Sequence, residues 1–117
     1  MKEKKYKWHR IAGSAIEIPF GENNLVEIEV RGKLICLAKT NTAIHACTFK
    51  CPHAGGRLVE GWMDALENLV CPVHRFRFSL QNGRNTSGEG YYLKTYPVIE
   101  QEDGLYLGME SPGFFSF

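Results

Sequence analysis

Two short units, Cys51-Pro52-His53 and Cys71-Pro72-Val73-His74, constrain this chain more than any other feature. Each sets a thiol and an imidazole on one turn, with proline stiffening the backbone beside the thiol, so the pair converges on a point. Seventeen residues, 54 to 70, separate the units, enough for one loop out and a strand back. The spacing suits a metal held between two loops. A Cys₂His₂ set is compatible with tetrahedral zinc, although zinc fingers usually pair like with like, and each unit here is mixed.

Composition limits what can surround such a site. At 117 residues the chain has room for one hydrophobic core, and so for one domain, 1–117. Fourteen Lys and Arg against thirteen Asp and Glu leave a formal charge of +1, no footprint for nucleic acid or an anionic lipid surface. Apolar runs are only a few residues long, so no membrane span is expected, and the basic Met1–His9 stretch lacks the apolar segment of a secretory signal. Four Cys are too few for a disulfide scaffold of this size. A reduced, cytoplasmic protein is the expectation.

The rest reads as all-β. Residues 25–30 alternate apolar and acidic, and Arg31-Gly32 turns them into an apolar run over 33–38. Residues 42–47 form the next strand, which delivers the chain to the first unit. Glu67-Asn68 makes a plausible hairpin tip between Leu66 and Leu69-Val70. Residues 76–80 alternate again before Asn82-Gly83, and 94–101 and 105–109 flank the turn Glu102-Asp103-Gly104. Short strands with frequent turns predict a sandwich or barrel. Cys36 reads as an inert buried thiol, and Cys47 as packing at a strand end. His9 and His45 have no partner spacing. Trp8 and Trp62 are assigned to the core, Lys2, Lys4, Lys5 and Lys7 to a solvated terminus, and Phe114, Phe115 and Phe117 to packing back on the fold.

With both units and their flanks in view, the chain resembles the Rieske iron–sulfur family. The first stretch, Cys51-Pro-His-Ala-Gly-Gly-Arg-Leu58 followed by Glu60-Gly61, is similar to that family's first cluster loop. The second, Leu69 to Leu80 followed by Asn82-Gly83, is similar to its second loop and exit strand, and Leu93 to Val98 to the strand beyond. The resemblance implies an antiparallel β-sandwich base with a smaller cluster-binding β subdomain at about 46–82. It implies a [2Fe–2S] cluster held by Cys51 and Cys71 on one iron and His53 and His74 on the other, through Nδ1. Gly55-Gly56 would allow positive φ and close amide approach to the sulfides.

Respiratory relatives add a disulfide between the loops and hydroxyl donors after the second His. Here those positions are Gly56 and Val73, then Phe76 and Phe78. Fewer donors to sulfur place the potential toward the lower end of the roughly −150 to +300 mV Rieske span. The implied function is a one-electron carrier between a flavin-dependent reductase and a terminal oxygenase or similar acceptor, docking transiently at a tip bearing Pro52, Pro72 and Val73. A subunit of a nitrite reductase or oxygenase complex is the alternative, with any catalysis on another chain, and a zinc-stabilised module is the remaining one.

Overall fold

The computed structural model describes residues 5–52, 55–86, 90 and 92–110. Among the described residues ten strands run in chain order: β1 (Tyr6–Ala12), β2 (Leu25–Val30), β3 (Lys33–Lys39), β4 (Ile44–Thr48), β5 (Trp62–Met63), β6 (Asn68–Val70), β7 (Arg77–Ser79), β8 (Thr95–Tyr96), β9 (Val98–Gln101) and β10 (Gly104–Glu110). They form three antiparallel sheets, ordered β1-β10-β9, β2-β3-β4-β8 and β5-β6-β7. Among the described residues the helical elements are two single 3-10 turns, Ala15–Glu17 and Leu58–Glu60, and no helix is long and apolar enough to cross a membrane.

The four-stranded sheet is the middle layer. Along β3 the side chains alternate between two cores, because successive residues of a strand point to opposite faces. Ile35 and Leu37 join Ala46, Tyr96, Leu105 and Leu107 against the β1-β10-β9 sheet. Cys36 and Ala38 join Cys47, Leu58, Leu69 and Phe78 against the small sheet. From Ile35 to Ala38 the strand is buried on both faces and has no polar side to alternate with, which is why the stretch after Lys33 reads as an apolar run. The turn before it has Arg31 at φ 54° and Gly32 at φ 81°, the doubly left-handed form that a two-residue hairpin favours. Pro97 separates β8 from β9, so residues 94–101 are two strands rather than one. The proline has no N–H to give a ladder, and the chain leaves the middle sheet there for the β1-β10-β9 sheet, the base sheet.

Three expectations change. The N-terminal stretch is a paired strand from Tyr6 onward, with Lys7 opposite Met109 and only Lys5 of the named lysines exposed ahead of it; Lys2 and Lys4 lie outside the described residues. Ile11 is the extra residue of a bulge between Arg10 and Ala12, and this breaks the period of two that would have marked the strand. Trp8 and Trp62 are 40% and 41% exposed rather than core. Trp8 lies over Gly108 and beside Tyr6, covering backbone on the outer face of the base sheet. The hairpin tip is 64–67, not Glu67-Asn68: the Asp64 carboxylate accepts from the amides of Leu66 (2.9 Å) and Asn68 (3.0 Å), a local bond that fixes the turn one step earlier. Asn68 is thereby drawn into β6, buried opposite Ser79. Phe114, Phe115 and Phe117 lie outside the described residues.

Candidate metal centre

β4, in the middle sheet, hands the chain to Cys51, and β6, in the small sheet that packs on it, hands it to Cys71. Each cysteine then opens a turn of the same construction. The Cys51 amide donates to the Gly56 carbonyl (2.8 Å) and the Gly55 amide to the Cys51 carbonyl (2.9 Å). In the second loop the Cys71 amide donates to the Phe76 carbonyl and the Arg75 amide to the Cys71 carbonyl, both 2.9 Å. Both turns close through a residue in the left-handed region four places after the cysteine, Gly55 at φ 72° and Arg75 at φ 60°. A glycine adopts that geometry freely. An arginine does so at a cost, and such strain is held where the surroundings demand it.

The two turns face each other. A Cβ on Gly56 would lie 2.4 Å from Cγ2 of Val73 and 3.3 Å from the Cys71 sulfur, so glycine is what lets the loops meet. These are the two positions at which the resemblance places a disulfide in respiratory relatives. Their contact supports the alignment of the loops, and all four cysteines are free thiols. Cys51 and Cys71 are both buried. Burial pushes the Cys71 thiol up and the nearby Cys51 adds to this, while the backbone amides of Val73 and His74 pull against it. Two thiols crowded together and met by N–H donors repel as thiolates, and a cationic iron–sulfur core relieves that repulsion. The residues present therefore fit such a group. His74 is exposed beside them, as is Val73 at 50%. His53 lies outside the described residues.

The first loop is tied down by residues that carry no motif. Arg57 donates to both oxygens of Glu27 on β2 (3.1 and 3.2 Å) and to Glu60 (3.0 Å), and its guanidinium lies over the Phe49 ring. The Glu27 hydrogen bond and charge hold the Arg57 proton more firmly than usual. Asn23 donates from Nδ2 to the carbonyls of Val59 and Gly61, each 3.0 Å away. No sequence signal marks Glu27 or Asn23, since their partners lie 30 to 38 residues away. The alternation of 25–30 does place Glu27 on the same face as Leu25, toward the loops.

With this geometry in place, the pattern of the Rieske [2Fe-2S] domain matches residues 7–97. The chain belongs to that family. Its cofactor is accordingly a Rieske-type [2Fe–2S] cluster. Two relatives of this Rieske domain are ferredoxins of oxygenase systems. The ferredoxin component of the alkene monooxygenase system of Xanthobacter autotrophicus is 28% identical over 76 residues, 65% of this chain and 62% of that protein. The ferredoxin subunit of the 3-phenylpropionate/cinnamic acid dioxygenase of Photorhabdus laumondii is 29% identical over 59 residues, 50% of this chain and 56% of that protein. The Rieske domain thus matches less than two thirds of the length of either relative. In fold it is similar to the ferredoxin of carbazole 1,9a-dioxygenase from Nocardioides aromaticivorans, with a TM-score of 0.72 and 20% identity, over 89% of this chain and 98% of that one.

Proposed function

We propose that this chain is a one-electron carrier whose cluster is held by Cys51, His53, Cys71 and His74. The observation that carries this reading is the pair of matching turns, which brings two buried thiols together while His74 stays exposed next to the second. When bound, the cluster takes up and releases a single electron. The chain's own residues position and insulate it. The amides of Val73 and His74 point toward the Cys71 sulfur, and Leu58, Leu69 and Phe78 close off the inner side from water. Pro52 and Val73 are exposed at the tip and Pro72 is half-buried, a small apolar face suited to the brief encounters of redox partners.

The reading includes a single domain, 1–117, with a cluster-binding subdomain at about 46–82, working in the cytoplasm. Its partners are a flavin-dependent reductase and a terminal oxygenase or similar acceptor, by analogy with the oxygenase ferredoxins among its relatives. Phe78 is fully buried and Phe76 packs on the same core, so neither position offers a hydroxyl to sulfur. This supports a potential toward the low end of the Rieske range. The test is anaerobic purification with iron and sulfide analysis, then reduction by dithionite under electron paramagnetic resonance. Two irons per chain and a rhombic reduced signal with a low average g are expected. A colourless, iron-free protein that binds zinc would overturn the assignment.

A further inference from the structure

A formal charge of +1 conceals an uneven distribution. The stretches 30–59 and 68–88, which contain both cysteine turns, include no Asp or Glu, whereas Lys50, Arg57, Arg75 and Arg77 lie in or beside the turns. Carboxylates gather elsewhere. Glu100, Glu102 and Asp103 are exposed on the β9–β10 hairpin, and Glu100 shares a cleft with the turn 40–43, at the end of β4 away from Cys51. Of the four cations near the turns, Arg57 is engaged by Glu27 and Glu60, and Arg77 by Asp64. Lys50 and Arg75 are exposed, and no carboxylate among the described residues pairs with either. Lys50 directly precedes Cys51 and Arg75 directly follows His74. Because the turns meet at Gly56 and Val73, both cations stand at the same end of the molecule as the exposed Pro52 and Val73.

Arg75 is the more telling of the two. At φ 60° it occupies the place that Gly55 fills in the first turn, so the turn itself needs no side chain there. The left-handed backbone costs an arginine energy that it does not cost a glycine. No carboxylate among the described residues meets the guanidinium to offset that cost. Strain kept at an exposed residue beside a proposed ligand points outward, to a group on another molecule. Resting on the carrier reading above, we propose that this end of the chain docks on an acidic redox partner, with Arg75 as the principal contact and Lys50 as the second. Each cation meets a carboxylate of the partner's docking face, and a planar guanidinium matches a carboxylate through two parallel N–H donors. Pro52 and Val73 meet the apolar centre of that face. The same partner repels the acidic β9–β10 hairpin, so the division of charge orients the approach. Contacts of this kind act mainly on the rate of encounter and weaken as salt is added.

A gold electrode carrying a carboxylate-terminated alkanethiol monolayer presents the chemistry of such a face, and an ammonium-terminated monolayer reverses it. The holoprotein, with its iron content measured, is studied by cyclic voltammetry at both surfaces at low ionic strength. Each rate constant is taken at the variant's own midpoint potential, so a shift in potential caused by the lost charge does not enter the comparison. Electron exchange should be faster at the carboxylate surface, and that advantage should shrink as salt is added. Arg75→Gly should slow it by about fivefold, the worth of one unit-charge pair at contact in water, and Arg75→Lys should restore most of the rate. Lys5→Gln, on the N-terminal stretch rather than on either turn, should leave it unchanged. Equal or faster exchange at the ammonium surface, no wave at the carboxylate surface from an iron-replete preparation, or wild-type speed in Arg75→Gly would overturn the proposal. So would a loss of rate in Lys5→Gln as large as in Arg75→Gly, the mark of adsorption through the basic N-terminus. A preparation without iron would instead remove the carrier reading, and the docking face with it.

Discussion

The two loops that carry Cys51 and Cys71 are built to one backbone plan and filled with different side chains. Each uses the cysteine amide and carbonyl to close a turn on the fourth and fifth residues after it. Gly55 takes the left-handed position in the first loop and Arg75 in the second. The histidine stands two places after the cysteine in one loop and three in the other. The shared element is therefore the hydrogen-bonded frame around the sulfur, not the ligand spacing or the residue at the strained position. Anchoring differs as well. The first loop is held by side chains reaching to β2, the second by the short ladder into β7.

The severest way to break the comparison is to remove a sulfur. Cys51→Ser and Cys71→Ser should each abolish the visible absorption and the iron content of the purified protein, equally for the two loops. Retention of a full cluster by either variant would show that its loop is not a ligand loop. A finer cut separates the strained positions. Gly55 has open space around a would-be Cβ, so Gly55→Ala meets only the left-handed backbone cost and should destabilise by about 1 kcal/mol. Arg75→Gly should go the other way and stabilise by up to about 1 kcal/mol, the relief of strain being partly offset by the freer unfolded chain. Urea melts of the two variants test the opposite signs. If Arg75→Gly is destabilising instead, its side chain contributes more than its backbone costs.

How much of this was legible in the sequence follows the range of the interactions. The strand at 25–30 and the turns at Arg31-Gly32 and Glu102-Asp103-Gly104 are local, and they stand where alternation and turn chemistry place them. The Cys and His spacing marked both loops because metal ligands must be close in sequence when one turn presents them. The hairpin tip slipped because an aspartate side chain, not an Asn or Gly at the apparent centre, fixed it. The strand β1 was missed because its bulge and its exposed Trp8 and Arg10 erase the pattern of a half-buried strand. The anchors Asn23 and Glu27 were invisible because their partners are brought near only by the fold. The likeness between the turn at Gly55 and the turn at Arg75 was hidden by the identity of the residues, since arginine at that position carries no turn signal.

The remaining predictions concern the anchors. Behind the second loop, burial works to raise the Asp64 carboxyl, yet the amides of Asn68 and Leu66, the Asn68 side chain and Arg77 at 3.3 Å together hold it below the usual carboxylate range. A carboxyl lowered in the folded state adds stability that is fully present above its unfolded value and lost as the pH falls through its folded value. Stability should therefore decline in acid below the ordinary carboxylate range, and Asp64→Asn should flatten that limb in melts recorded across pH. An unchanged acid limb in the variant would remove Asp64 from the account. Before the first loop, Arg57 makes its ion pairs in water, with its side chain 48% exposed. Pairs of that kind are weak and screened by salt. Arg57→Ala should thus produce the smallest effect, a slight fall in thermal midpoint at low ionic strength that shrinks as salt is added. A loss that persists in high salt would instead assign the anchoring to the packing of Arg57 on Phe49. The first loop would then depend on side-chain packing rather than charge, and the contrast with the pH-sensitive anchor behind the second would be drawn along a different line.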